Sequence, residues 1–228
     1  MNGNSKRALV LSGGGGRGAY ECGVYKYLEE IGWEPDILVG TSIGAINAAA
    51  IASGRSADDL EAAWLETRTK DIQRFWRLKP WKSIYDTAPW RKTLHRYIDF
   101  DALPDTDKRL LIATTELETG QLRIYDNQET TLTPDHILAS CSIPIVYPWT
   151  HISQEQGSFW DGAVVSNTPL GTVLRAGATE IIVVLLTPWT DDDEAYAGAD
   201  NEPNKLWTLP GVALDWALLA SFRSDLKL

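Results

Sequence analysis

The stretch Asp36-Ile37-Leu38-Val39-Gly40-Thr41-Ser42-Ile43-Gly44-Ala45-Ile46-Asn47-Ala48-Ala49-Ala50-Ile51-Ala52 decides how this chain is read. A short apolar segment of strand length passes through Gly-x-Ser-x-Gly into an alanine-rich helical run. A serine flanked by glycines at a strand-to-helix turn is a nucleophile elbow. The glycines leave room for a strained turn that presents the hydroxyl. The helix that follows aims its partly positive N-terminus at any anion formed there. The elbow comes early, after a single preceding strand and the glycine cluster Gly13-Gly14-Gly15-Gly16-Arg17-Gly18.

Outward from the elbow, strands and helices alternate. Arg7 to Leu11 reads as a buried first strand and Ala19 to Ile31 as a helix stopped by Gly32. Ser56-Ala57-Asp58-Asp59 opens a helix with a capping-box start, expected to reach about Lys70. Residues 71–104 look irregular and aromatic, with Pro89 starting a helix through Ile98. Strands at 109–115 and 121–125 meet at Gly120, and a helix capped at Thr133 ends before Pro144. After the Asp161-Gly162 turn and a helix from Pro169 to Ala176, Glu180 to Leu186 is the best candidate for a central strand. An acidic loop at 190–204 and a last amphipathic helix at about 212–226 complete the pattern. The expected fold is α/β, three-layer α/β/α, around a central, largely parallel sheet.

Bulk properties narrow the partners. A net charge of −10 leaves no basic stripe for phosphates, which argues against nucleic acid. Neither a signal sequence nor an apolar stretch of membrane-spanning length is present in these residues, so the expectation is a cytoplasmic or membrane-peripheral protein. Cys22 and Cys141 read as buried free thiols, and no Cys/His spacing suggests a metal. Ten tryptophans are many for 228 residues, and Trp64, Trp76, Trp81 and Trp90 fall close together. Packing of a helical insertion explains them best, and an apolar substrate groove or interfacial surface is the functional alternative.

Three chemistries compete for the elbow. A Ser–Asp–His triad needs a base from His95, His136 or His151. His95 lies among Arg91, Lys92 and Arg96 on a solvated face, and His136 reads as a helix-surface residue. His151 is the one candidate base, without special context. The glycine loop also satisfies the dinucleotide fingerprint G-x-G-x-x-G, but Ser42 stands where that motif needs a carboxylate. A phosphate-binding P-loop lacks its Lys-Ser/Thr. What remains is an oxyanion hole of backbone N–H groups at Gly14, Gly15, Gly16 and Arg17. Arg17 itself either fixes the loop, adds positive potential or pairs with a carboxylate. Asp161-Gly162-Ala163 then supplies a carboxylate that partial desolvation could turn into a general base.

These blocks resemble the patatin-like phospholipases, lipid acyl hydrolases with a Ser–Asp dyad. The resemblance rests on the loop from Gly13 to Gly18, Gly40-Thr41-Ser42-Ile43-Gly44, Ala139-Ser140-x-x-x-Pro144 with Tyr147-Pro148, and Asp161-Gly162-Ala163 with Asn167-x-Pro169. It departs at Ala163, where the family often has glycine, and in a short segment after the last strand. It implies one domain over residues 1–228, lacking a C-terminal extension found in many members. It implies an acyl-enzyme on Ser42 with Asp161 as base, no cofactor and no metal. The substrate is expected to be a phospholipid, lysophospholipid or other ester, with peripheral membrane contact. The alternative is a catalytically silent lipid-binding or scaffold protein of the same fold.

Overall fold

The computed structural model describes residues 5–75, 82–187 and 220–222. The expected acidic loop, Trp76, Trp81 and all but one turn of the expected C-terminal helix lie outside them. In chain order the elements are β1 (Arg7–Leu11), α1 (Ala19–Glu30), β2 (Ile37–Thr41), α2 (Ile43–Ala52), α3 (Ala57–Glu66), α4 (Thr69–Ile72) and β3 (Arg74–Phe75). Next come β4 (Tyr85–Asp86), α5 (Ala88–Tyr97), β5 (Arg109–Glu116), β6 (Leu122–Asp126) and α6 (Pro134–Ser140). The last are β7 (Thr150–Ile152), β8 (Gly157–Asp161), α7 (Leu170–Arg175) and β9 (Glu180–Val184).

Seven of the strands form one sheet in the order β7-β8-β5-β2-β1-β9, with β6 on the other edge of β5. The pairs β5–β2, β2–β1 and β1–β9 are parallel, and β6, β7 and β8 join antiparallel. Alternate residues of each central strand face opposite layers. Leu9, Leu11, Leu38, Leu110 and Ile112 pack toward α1, α2, α5 and α6. Ala8, Val10, Ile37, Val39 and Leu111 pack toward Val173 and Ala176, on α7 and just after it. Both faces are covered, so these strands are apolar at nearly every position. Helix α2 is buried almost all round, which is why it is built of alanine and isoleucine rather than as an amphipathic stripe.

The fold departs from the sequence reading at particular places. The run Glu180 to Leu186 is not central among the described residues, because β9 pairs on one side only, with β1. Its apolarity has another cause: Ile182 packs into one core, and Ile181 and Val183 into the other. The helix opened at Ser56 has the expected capping box but breaks at Thr67 instead of reaching Lys70. There Thr67 Oγ1 donates to Ala63 O at 2.8 Å and accepts from Tyr97 Oη at 2.8 Å. That side-chain bonding competes with the helix ladder, and Asp71 caps a new short helix by accepting from Arg68 N. The aromatic stretch 71–104 includes a small β3–β4 ribbon before the Pro-started α5.

Candidate active site

Sheet register brings the elbow and the Asp-Gly turn together. Strand β2 runs along one edge of β5 and ends with Thr41 opposite Ala113. Strand β8 takes over at the next rung, with Asp161 opposite Thr114. Ser42 therefore leaves β2 at the point where Asp161 ends β8.

Ser42 has φ 55° and ψ −125°, a conformation costly for a residue with a Cβ. The surroundings hold it there. Its N–H donates to Ser140 Oγ at 2.9 Å, and its carbonyl accepts from Ala45 N at 2.9 Å and from Cys141 Sγ at 3.2 Å. The flanking glycines are needed for space. A Cβ on Gly40 would lie 2.4 Å from Gly44 O, and one on Gly44 would lie 2.2 Å from Leu11 O. Neither has positive φ. The spacing of the motif thus records how closely α2 is drawn against β1 and β2.

Asp161 is buried and held from several sides. Its N–H donates to Ser142 O at 3.0 Å, its carbonyl accepts from Thr115 Oγ1 at 2.9 Å, and Oδ1 accepts from Ala163 N at 2.9 Å. Gly162 is required because a Cβ there would meet Ala113 O at 2.5 Å. Ala163 contributes an N–H, which any residue but proline could supply, so the departure from Asp-Gly-Gly leaves this contact intact. Oδ2 is buried without a hydrogen-bond partner. Burial pushes the carboxyl up to about 7, and the Ser42 hydroxyl and the Ala163 N–H hold it lower than burial alone would. The serine contact is looser than a formed hydrogen bond, and Asp161 Oδ2 remains without a partner.

The glycine loop lies beside them. Asn167 grips Gly13 twice, with Oδ1 accepting from its N–H at 2.7 Å and Nδ2 donating to its carbonyl at 3.3 Å. A Cβ on Gly13 would lie 2.6 Å from that Oδ1 and 3.0 Å from Ser42 Cβ, and one on Gly14 would strike Leu186. Gly15 takes φ 59° to start a 3-10 turn through Gly18. Arg17 closes the turn, its N–H and its Nε each donating to Gly14 O at 3.3 Å, so its N–H is engaged within the loop and is not the open donor the sequence reading expects. None of the N–H groups of Gly14, Gly15 and Gly16 is bonded to a described residue. Behind the loop, Asn47 Nδ2 donates to Gly18 O at 3.0 Å and to Glu21 Oε2 at 2.7 Å. Burial holds the Glu21 carboxyl well above its ordinary range.

The histidines lie elsewhere, and among the described residues none is bonded to Ser42 or Asp161. His95 is exposed, edge-on to Phe100, and His151 is exposed on β7 opposite Ser158. His136 corrects the sequence reading: it is fully buried, not on the helix surface. Its helix turns it onto Tyr125, ring centroids 4.6 Å apart, and Nδ1 accepts from Thr133 N. Burial lowers its pKa. Both cysteines are buried and free. The sequence reading quoted Ser140 and Asn167 as motif residues without a role and passed over Asn47. Each acts through a partner far away in the chain, which only a repeated motif could signal.

Comparison with known proteins identifies the family and the fold. A family model described as Patatin-like phospholipase matches residues 9–174. Patatin-like phospholipase domain-containing protein 6 of Homo sapiens is 26% identical over 181 residues, covering 78% of this chain and 13% of that protein. The cGAMP-activated phospholipase of Escherichia coli (strain TW11681) is 28% identical over 193 residues, covering 72% of this chain and 53% of that protein. The uncharacterized protein YqhO of Bacillus subtilis (strain 168) is 30% identical over 205 residues, covering 78% and 70%. The chain thus spans only a small part of its mammalian relative and about half of the Escherichia coli one. Among solved structures, VipD from Legionella pneumophila shares the fold, with a TM-score of 0.51 at 14% identity over 73% of this chain and 47% of that one. With the match covering most of its length and all three blocks of the site in order, the chain belongs to the patatin-like phospholipase family.

Proposed function

We propose that this protein hydrolyses carboxylic esters of lipids through an acyl-enzyme on Ser42, with Asp161 as general base. The observation that carries the reading is the juxtaposition of a strained serine with a buried carboxyl poised at about 7. A base near neutrality can both take and return a proton at working pH. The names of the relatives support a lipid substrate.

The Ser42 hydroxyl attacks the ester carbonyl and its proton passes to Asp161. The negative oxygen of the tetrahedral intermediate is met by the N–H groups of Gly14, Gly15 and Gly16, reinforced by the N-terminus of α2. One strong donor of this kind is worth about 3–4 kcal/mol in related chemistry. Arg17 keeps the loop open to that oxygen by bonding Gly14 O from two sides. The intermediate collapses, the C–O bond breaks, and Asp161 protonates the departing alcohol. Asp161 then deprotonates a water that attacks the acyl-serine, releasing the acid and restoring Ser42.

The test is labelling by a fluorophosphonate probe together with turnover of a nitrophenyl ester. The parent protein should be labelled and active, and Ser42→Ala should lose both while unfolding at a similar temperature. A parent that is neither labelled nor active would point to a silent lipid-binding member of the family instead.

A further inference from the structure

A cavity of about 280 Å³ lies beside the elbow, among α2, α3, α4 and α5, with Tyr147 on its wall. Its apolar lining comes from Ile43, Ile46, Trp64, Ile72, Trp90 and Tyr97, and its exposed rim includes Arg68 and Thr69. Ile43 is the residue after Ser42. A Cβ on Gly18 would lie 2.5 Å from Ile43 and 3.1 Å from Trp64, so the glycine loop and the cavity share a wall. One side chain ties that wall down: Asn47 accepts from Trp64 Nε1 at 3.1 Å while donating to Gly18 O.

The polar tips of three of the lining aromatics are already used. Besides Trp64, Tyr97 Oη donates to Ala63 O at 3.0 Å or to Thr67 Oγ1 at 2.8 Å, and Tyr147 Oη bonds Gln73. Those three tips are therefore engaged with protein partners rather than open to an occupant. A polar occupant would lose its water and gain few bonds, whereas a hydrocarbon has no hydrogen bonds to give up. An apolar cavity of about 150 Å³ holds a benzene ring, so this one has room for on the order of ten carbons.

We propose that this cavity receives the acyl chain of the ester and sets its useful length at about ten carbons. The proposal rests on the reading of Ser42 as nucleophile. Each methylene buried should raise kcat/KM about fourfold. A longer chain must pass Arg68 and Thr69 into water, so the gain should then stop.

Nitrophenyl esters from butyrate to palmitate test this. The parent should climb about fourfold per methylene and level off near decanoate. Partly buried Ile72 offers reciprocal variants. Ile72→Trp should move the break to shorter chains and Ile72→Ala to longer ones, with thermal unfolding confirming that each is folded. A break unmoved in both folded variants, or a flat series in the parent, overturns the proposal even if hydrolysis is strong. If the parent neither hydrolyses any ester nor takes the fluorophosphonate, it is the reading of Ser42 that fails. Calorimetric titration with decanoic acid then decides the cavity alone. Binding by the parent that Ile72→Trp abolishes upholds the site, and no binding overturns it.

Discussion

On the proposed reading Asp161 sits between two demands, because the desolvation that would make it a base also makes its charged form expensive. As base it must be unprotonated, so kcat/KM should rise about tenfold per pH unit below about 7 and level above it. The same shift acts on stability with the opposite sense. An unfolded aspartate titrates near 4, so between about 4 and 7 the folded chain holds the proton more tightly, and stability falls as pH rises through that window. The full effect is on the order of 4 kcal/mol. Asp161→Asn should therefore abolish turnover yet raise stability at pH 8 by about 1–3 kcal/mol, the amide returning part of the gain for want of an acceptor. At pH 4 the gain should vanish. Denaturant unfolding of both proteins at the two pH values checks this, and a variant less stable at pH 8 would contradict the assigned shift. His151→Ala, on an exposed strand position, should leave turnover nearly unchanged. The role proposed for Asp161 follows in the sequence only once the histidines are set aside, since Asp-Gly turns are common. The burial of His136 could not be read, because Thr133-Pro134-Asp135 signals an exposed helix start and says nothing of Tyr125 on the far side.

Between the first strand and the elbow helix, glycine has two opposite meanings. Gly44 has backbone 2.2 Å from where a Cβ would be, whereas Gly23, inside α1 and exposed, has nothing within 4 Å. Gly44→Ala should force α2 away from β1, costing about 3 kcal/mol or more and dispersing the elbow. Gly23→Ala should gain about 0.5–1 kcal/mol and leave turnover alone. Denaturant midpoints of the two variants give the comparison. Elements such as α1, β2 and α5 were legible because each carries its own punctuation: Gly32, the Gly-x-Ser-x-Gly turn and Pro89. The break in α3 was not, because it depends on Tyr97 reaching back to Thr67 from another helix. Strand β7 is three residues long and among the described residues pairs only with β8, too little for a periodic signal.

Across the whole sheet, alternation of strands and helices was enough to expect three layers, since both faces of a parallel sheet need cover. Strand order was not legible, because an apolar run reports covered faces and is silent about neighbours, as β9 demonstrates. That strand has a further consequence. β1 lies between β2 and β9, Leu186 N donates to Ser12 Oγ at 3.0 Å, and Asn167 grips Gly13. The loop near the chain's beginning is thus shaped by residues made long after it. During synthesis the serine emerges early, while Asp161 and the last residues that shape the glycine loop arrive more than a hundred residues later. A chain released after Ala176 should resist fluorophosphonate labelling, and the full chain should accept it. On the proposed reading, a ribosome making this chain would hold an unarmed serine until strand β9 joins the sheet.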